Sequence, residues 1–194
     1  RPSSFDVVLE PFTAEAFARR VTESGAGIGP LGIAFAPDGQ TIHVSGGAGR
    51  NELYTLDRAG RPLNPDPLAG LQQGVGLPLA TLDVPIYDMT FDSLGQFWAT
   101  TGGQGLVQLD PATGEVIASF ATGVTLGLAT DPNSPLLYLA TASGVETFDT
   151  VARRFRPFSS TRVDGLAVAP DGRLWGTRWP DGAEVVRFDT RGRA

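Results

Sequence analysis

The chain has 194 residues, of which 41% are apolar, and a formal net charge of −6. It contains neither cysteine nor lysine, so disulfides, thiol catalysis and cysteine zinc sites are excluded. The acidic balance argues against nucleic acid, because phosphate binding needs clustered positive charge. No apolar run approaches the ~20 residues of a membrane span, which argues against membrane insertion.

The first 27 residues precede the repeated part of the chain. Two apolar stretches lie there, Phe5–Glu10 and Ala16–Thr22, and 13–20 combines a helix cap with good helix formers. We favour an extended path at the end of this segment. We expect one of the two stretches to pair beside Val185–Asp189 and so to close the fold.

Four similar units follow, at 28–83, 84–123, 124–161 and 162–194. In each unit an apolar strand ends in a polar turn, and a second strand and a third strand ending in aspartate come after it. The turn residues Gly39, Gly95, Ser134 and Gly172 lie 56, 39 and 38 positions apart. A period near 40, with three or four short strands per unit, is typical of β-propeller blades. The sequence therefore predicts an all-β, single-domain β-propeller with four recognisable blades.

The edges of the blades leave two architectures open. Outer strands are predicted at Val116–Phe120 and Phe155–Phe158, and the stretch from Ala59 to Ala80 is interpreted as a loop that widens the first blade. The fourth unit has no outer strand of its own. Either the N-terminal segment closes a small four-bladed ring, or the chain is a piece of a larger propeller of five to seven blades.

Residues that break the repeat are the candidates for a site. The aspartates that end the third strands recur in every blade, so they are interpreted as turn formers, and Trp98 and Trp175 as packing between blades. In the loops that converge on one end of the axis, Tyr87, Arg178 and Trp179 do not repeat. An aromatic ring and a guanidinium suit stacking and anion contacts, so these three are the candidate ligand-binding residues.

Two acidic residues lie at the start of inner strands, Asp88 and Asp164. Two carboxylates near one axis could hold a divalent cation such as Ca²⁺ together with carbonyl oxygens and water. The alternative is that both aspartates cap strands or turns.

The phrase Val163–Trp175 (VDGLAVAPDGRLW) resembles the gluconolactonase/regucalcin family of six-bladed propellers and is similar to NHL-type and streptogramin-lyase-type repeats. The resemblance implies that Asp164 is a metal ligand tied to catalysis. The family's glutamate ligand, in a Glu-Gly-Pro phrase, corresponds to Ile28 here, and its asparagine ligands correspond best to Tyr87 and Leu126. The resemblance thus supports the fold and argues against lactonase chemistry.

The leading hypothesis is a non-catalytic binding or scaffolding propeller with a protein or glycan partner. The alternative is a metal-dependent, lactonase-like hydrolase or lyase with a divalent ion at the axis. Because the sequence begins at Arg1 without an initiator methionine, we expect a processed or excised piece of a longer parent chain. An extracellular or periplasmic location in a bacterium is favoured over the cytoplasm.

Overall fold

The computed structural model describes residues 10–11, 13–14, 16–18, 21–68, 74–178, 182–189 and 191–194. All regular structure in this part of the chain is β-strand. Four antiparallel sheets, here called blades 1 to 4, form a four-bladed β-propeller. The predicted fold class is confirmed.

Each of the first three blades has four strands, paired in chain order from the inner to the outer edge. Blade 1 comprises β1 (Ile33–Phe35), β2 (Ile42–Gly46), β3 (Glu52–Leu56) and β4 (Ala80–Thr81). Blade 2 comprises β5 (Asp88–Phe91), β6 (Phe97–Thr100), β7 (Leu106–Leu109) and β8 (Val116–Phe120). Blade 3 comprises β9 (Thr125–Thr130), β10 (Leu136–Thr141), β11 (Gly144–Asp149) and β12 (Arg154–Ser159).

Blade 4 has three strands in the described residues, β13 (Gly165–Val168), β14 (Leu174–Arg178) and β15 (Glu184–Arg187). The predicted outer strands of blades 2 and 3 are confirmed as β8 and β12. In blade 1 a long loop follows β3, and β4 after it pairs antiparallel with β3.

Aspartates close the turns after the third strands. Asp57 Oδ1 accepts hydrogen bonds from the backbone N–H groups of Ala59 and Arg61, both at 2.9 Å, and the Arg61 bond contributes most to holding the pKa of this carboxyl below its usual value. The same kind of bond to following N–H groups is made by Asp110, Asp149 and Asp189. Their interpretation as turn formers is confirmed.

The core lies between the faces of successive blades. Ala34 of blade 1 packs with Met89 and Phe97 of blade 2. Trp98, on the other face of blade 2, packs with Leu128 of blade 3. A third cluster joins blades 3 and 4, and its buried members are Ala129, Ala140, Val145, Val163, Leu174 and Phe188. Because strand side chains alternate between faces, each blade has one face for the blade before it and one for the blade after it.

One prediction fails and one stays a prediction at the junction between blade 4 and blade 1, here called the seam. Trp98 is fully buried between blades as predicted, but its counterpart Trp175 is 37% exposed. The Arg187 guanidinium from its own sheet lies 6.0 Å from the ring centroid, and no described strand of another blade covers that face. No described strand pairs with the outer edge of β15. Of the N-terminal stretches, Phe5–Glu10 lies outside the described residues except for Glu10, and within Ala16–Thr22 Ala18 and Val21 pack on blade 1.

His43 is a titratable group inside the contact between blades 1 and 2. Its ring lies 4.6 Å from that of Phe97 and 5.7 Å from that of Phe91, centroid to centroid. Its Nδ1 is buried and has no hydrogen-bond partner among the described residues. Burial lowers the pKa of His43 to about 4.

We predict that His43→Phe stabilises the protein, and more so in acid. In the unfolded chain His43 is protonated below about pH 6.5, whereas in the folded protein it is protonated only below about pH 4. The wild-type protein therefore loses stability as the pH falls from about 6.5 to about 4. Phenylalanine keeps the aromatic packing without that loss. Urea unfolding at pH 7 and pH 5 measures this effect. The free energy of unfolding of the variant should exceed that of wild type by roughly 2 kcal/mol more at pH 5 than at pH 7. An advantage independent of pH would contradict this account.

Candidate functional site

One predicted binding residue and both predicted metal ligands line the same cleft near the axis. The cleft has a volume of about 390 Å³. It brings together Tyr87, Asp88 and Asp164, although the last two are separated by 76 residues in sequence. The remaining lining residues are Leu31, Leu126, Gly127 and Gly165.

The Asp88 carboxylate is bound to the backbone on both of its oxygens. Oδ1 accepts a hydrogen bond from the N–H of Met89 at 2.8 Å, and Oδ2 accepts one from the N–H of Leu128 at 2.8 Å. Leu128 belongs to β9 of blade 3, whereas Asp88 begins β5 of blade 2. The side chain is therefore a brace between the inner strands of two neighbouring blades.

Burial dominates the electrostatics of this carboxyl. It raises the pKa of Asp88 to about 6, even though the N–H groups of Leu128 and Met89 both favour the charged form. The charged and neutral forms of this carboxyl are therefore equally populated near pH 6. A buried charge is tolerated only where it is hydrogen-bonded, and here the backbone of two blades supplies those bonds.

Asp164 lies between blades 3 and 4, one position before Gly165, which is the counterpart of Asp88 at the start of the inner strand. Its backbone N–H donates to the carbonyl of Thr177 at 2.8 Å, and its own carbonyl accepts from the N–H of Gly127 at 2.8 Å. A β-carbon on Gly127 would lie 2.4 Å from the Asp164 carbonyl oxygen, so the strands approach too closely there for any residue but glycine. The backbone of Asp164 thus also ties neighbouring blades together.

The donor set near the axis is small for a metal ion. Ca²⁺ takes six to eight oxygen ligands, and both Asp88 oxygens already accept backbone N–H groups. The described residues contain no group of three or more His, Cys, Asp or Glu side chains placed to share an ion. Calcium binding at Asp88 and Asp164 stays a prediction.

Tyr87 is held by an arginine from the neighbouring blade. Nη1 of Arg50 donates to the Tyr87 hydroxyl at 2.8 Å, and the guanidinium carbon lies 5.2 Å from the ring centroid. The Arg50 backbone has a φ of 57°, a left-handed conformation uncommon for a side chain other than Gly, Asn or Asp. Its carbonyl accepts the N–H of Ile86 at 2.6 Å, which anchors the turn on the loop preceding blade 2.

A second, smaller cleft of about 190 Å³ lies beside the first, and Asp164 lines both. It contains the predicted Arg178 and also Arg162, which was not among the predicted binding residues. Nη1 of Arg178 donates to Glu184 Oε2 at 2.7 Å across the neighbouring strand. This exposed ion pair orients the arginine but adds little stability. Trp179, the third predicted binding residue, lies outside the described residues.

This end of the propeller carries charges of both signs. Arg50, Arg162 and Arg178 line or border the clefts, and the carboxylates of Asp88 and Asp164 line the same clefts while Glu184 pairs with Arg178. The guanidinium groups are the donors that an anionic group on a partner could meet here. The sequence places Arg50 in a loop at this end of the axis, although it was not among the predicted binding residues, and nothing in the local pattern distinguishes Arg162.

Comparison with known proteins identifies the fold and not a family. No protein-family model and no curated protein matches the chain. Among solved structures, a chain of the hydrazine synthase of Kuenenia stuttgartiensis is similar, with 14% identity, a TM-score of 0.61 and coverage of 94% of this chain and 49% of that one. A chain from a nidogen/laminin complex is also similar, with 17% identity, a TM-score of 0.60 and coverage of 82% and 59%.

This chain therefore spans less than two thirds of either structure. The gluconolactonase and NHL resemblance has no matching family model behind it. Among the described residues there is no helix with the length and hydrophobicity to cross a membrane.

We predict that Asp88→Asn removes a pH dependence of stability. Since the pKa of Asp88 is raised in the folded state, the folded protein holds a proton that the unfolded chain releases, so this group favours folding more as the pH falls through about 6 toward 4. When the pH is lowered from 7 to 4.5, the free energy of unfolding of wild type should rise by roughly 2 kcal/mol relative to that of the variant. Urea unfolding of both proteins at the two values measures this difference. A constant difference would show that the carboxyl titrates in the usual range for aspartate.

Proposed function

We propose that this propeller is a non-catalytic binding or scaffolding module that contacts a protein partner through the arginine-bearing end of its axis. We further propose that it works as one module of a larger exported bacterial protein. We expect the partner to present acidic side chains to these arginines, because guanidinium groups bind carboxylates with paired hydrogen bonds.

One observation carries the proposal: the axial acid is engaged in the fold. Each oxygen of Asp88 accepts a backbone N–H group, one from blade 2 and one from blade 3. These bonds use part of the roughly four acceptor positions of the carboxylate and fix its orientation toward the backbone, which leaves less of it for a metal ion or a substrate. The residues that remain for contact are the Arg50–Tyr87 pair and the arginines of the smaller cleft.

The pairing of Arg50 with Tyr87 suits recognition more than reaction. A ring and a guanidinium held by one hydrogen bond at 2.8 Å form a preorganised surface, and preorganised contacts lose less conformational entropy on binding. Tyrosine and arginine are also enriched at the energetic centres of protein interfaces. The similar chain from a nidogen/laminin complex is consistent with a propeller of this kind in a protein–protein assembly.

A metal-dependent, lactonase-like hydrolase or lyase is the second candidate. One observation favours it, namely that Asp88 and Asp164 line the same cleft. In that function a divalent ion would draw on those two carboxylates. The two candidates differ in what Ca²⁺ does to the protein, so one titration separates them.

We predict that Ca²⁺ titrated by calorimetry gives no saturable heat, in wild type or in Asp164→Ala, and that neither protein hydrolyses a simple aldonolactone. The reason is that Ca²⁺ takes six to eight oxygen ligands, whereas the described residues place only two carboxylates in the cleft, and one of them, Asp88, is already hydrogen-bonded on both oxygens. A stoichiometric heat in wild type that Asp164→Ala abolishes, together with lactone turnover, would overturn the non-catalytic proposal.

The binding face is tested by reversing its charge. We expect the combined Arg50→Glu, Arg162→Glu and Arg178→Glu variant to lose the proteins that immobilised wild type retains from a bacterial extracellular or periplasmic extract. The matched control is Arg154→Glu with Arg156→Glu, on exposed positions of the outer strand β12. Retention unchanged by the triple reversal, or lost equally in the control, would contradict the assignment of this face.

A further inference from the structure

A third cleft, of about 290 Å³, lies between blades 1 and 2. The larger axial cleft includes the starts of the inner strands, whereas this one includes the turn after β1 and therefore lies at the opposite end of the propeller. Its floor contains two buried rings, those of His43 and Phe91. Its rim consists of exposed residues from the turns after β1 and β7, namely Pro37, Asp38, Pro111 and Ala112. Both blades of this contact are described, so the cleft does not depend on what covers the seam.

The floor of this cleft contains a polar atom without a partner. The His43 side chain is 1% exposed, and its Nδ1 has no hydrogen-bond partner among the described residues. Buried polar atoms are nearly always hydrogen-bonded, so each exception needs an explanation. An unpaired nitrogen of a residue that lines a cavity indicates a place for a ligand group that would complete its hydrogen bonding.

Blade 2 shows how the repeat satisfies a polar ring at the same position. By sheet register and by spacing from the turn glycine, the counterpart of His43 is Trp98. The indole N–H of Trp98 donates to Oδ2 of Asp92 at 3.1 Å, and the ring is fully buried. The counterpart of Asp92, three residues before the turn glycine of blade 1, is Ala36. Blade 1 therefore has a smaller ring than blade 2 and lacks the acceptor that the fold provides there.

These two differences leave free space and an unpaired nitrogen in the same place. Ala36 lines the cleft together with His43, and alanine and imidazole are smaller than aspartate and indole. A cavity of about 150 Å³ in a protein interior is large enough to bind benzene. The cleft between blades 1 and 2 thus has room for one ring with a polar substituent.

The lining favours a neutral ligand with an apolar ring. Phe91, Pro37 and Pro111 offer apolar surface to such a ring. Burial lowers the pKa of His43 to about 4, so a charged ligand group on the floor would lack a counter-charge near neutral pH. An anion would also be repelled by the carboxylate of Asp38 at the rim. A hydroxyl group both donates and accepts, so it pairs with Nδ1 in either tautomer of the imidazole.

We propose that this cleft is a second binding site, which takes a small neutral molecule with one ring and one hydroxyl group. The ring would lie against Phe91 near the two prolines of the rim, and the hydroxyl would pair with Nδ1 of His43. The site is at the other end of the propeller from the arginine-bearing end, so it does not depend on the proposed contact with a protein partner.

Phenol is the probe for this site, and toluene, in which a methyl group replaces the hydroxyl, is its control. Because the chain has a single histidine, the imidazole signals in a nitrogen NMR spectrum report His43 alone. We expect phenol to shift them saturably at pH 7. We also expect wild type to bind phenol about tenfold more tightly than toluene, the effect of one hydrogen bond.

The variant His43→Phe keeps a ring on the floor and removes the nitrogen. Its affinities for phenol and toluene, followed by the backbone amide signal of Gly95 in the cleft, should be equal. Wild type that binds phenol and toluene equally, or shows no saturable shift with phenol, would overturn the proposal. A preference for phenol that persists in His43→Phe would overturn it as well.

Restoring the carboxylate of the repeat gives a second test. In Ala36→Asp the new side chain should occupy the cleft and pair with His43, so phenol binding should be lost and the imidazole should titrate at a higher pH than in wild type. The matched control is Ala169→Asp, at the equivalent half-buried position of blade 4, which should bind phenol as wild type does. Unchanged phenol binding by Ala36→Asp would contradict the proposal. The comparison with His43→Phe does not depend on whether Ala36→Asp folds.

Discussion

The packing of sheet face against sheet face is the interaction on which this structure depends. A three- or four-stranded blade is too thin to bury anything by itself, so each blade is stable only where its neighbours cover it. Two equivalent tryptophans show this. Trp98 is fully buried between blades 2 and 3, whereas Trp175 lies on a face that no described strand of another blade covers and is partly exposed. The same repeat thus provides the core of the protein and leaves apolar side chains such as Trp175 and Phe35 exposed at the seam.

Close packing at the axis determines what polar groups there can do. The inner strands approach so closely at Gly127 that side chains are excluded, and the backbone N–H groups near the axis need acceptors. The Asp88 carboxylate provides one of them to Leu128 on the next blade. Asp88 at the axis therefore serves the fold, and the proposed function assigns contact with a partner to the arginines and the tyrosine at the rim of the clefts.

Features that repeat were predictable from the sequence, and features that join distant units were not. The four blades and the aspartate turns followed from spacing, because each is a local pattern. The bond between Asp88 and Leu128 spans 40 residues, and no local pattern indicates it. Trp175 was mispredicted because equivalence within a repeat says which face a residue is on, but not whether another blade covers that face.

The titration of the Asp88 carboxyl, followed by carbon NMR with the amide proton of Leu128, tests the central claim most directly. If the carboxylate braces two blades, both signals should titrate together with a midpoint near pH 6, and neither should move when Ca²⁺ is added. The Leu128 amide should also exchange slowly with solvent, since it is hydrogen-bonded at 2.8 Å. A midpoint near the ordinary aspartate value, or a carboxyl signal that shifts on adding Ca²⁺, would contradict the account.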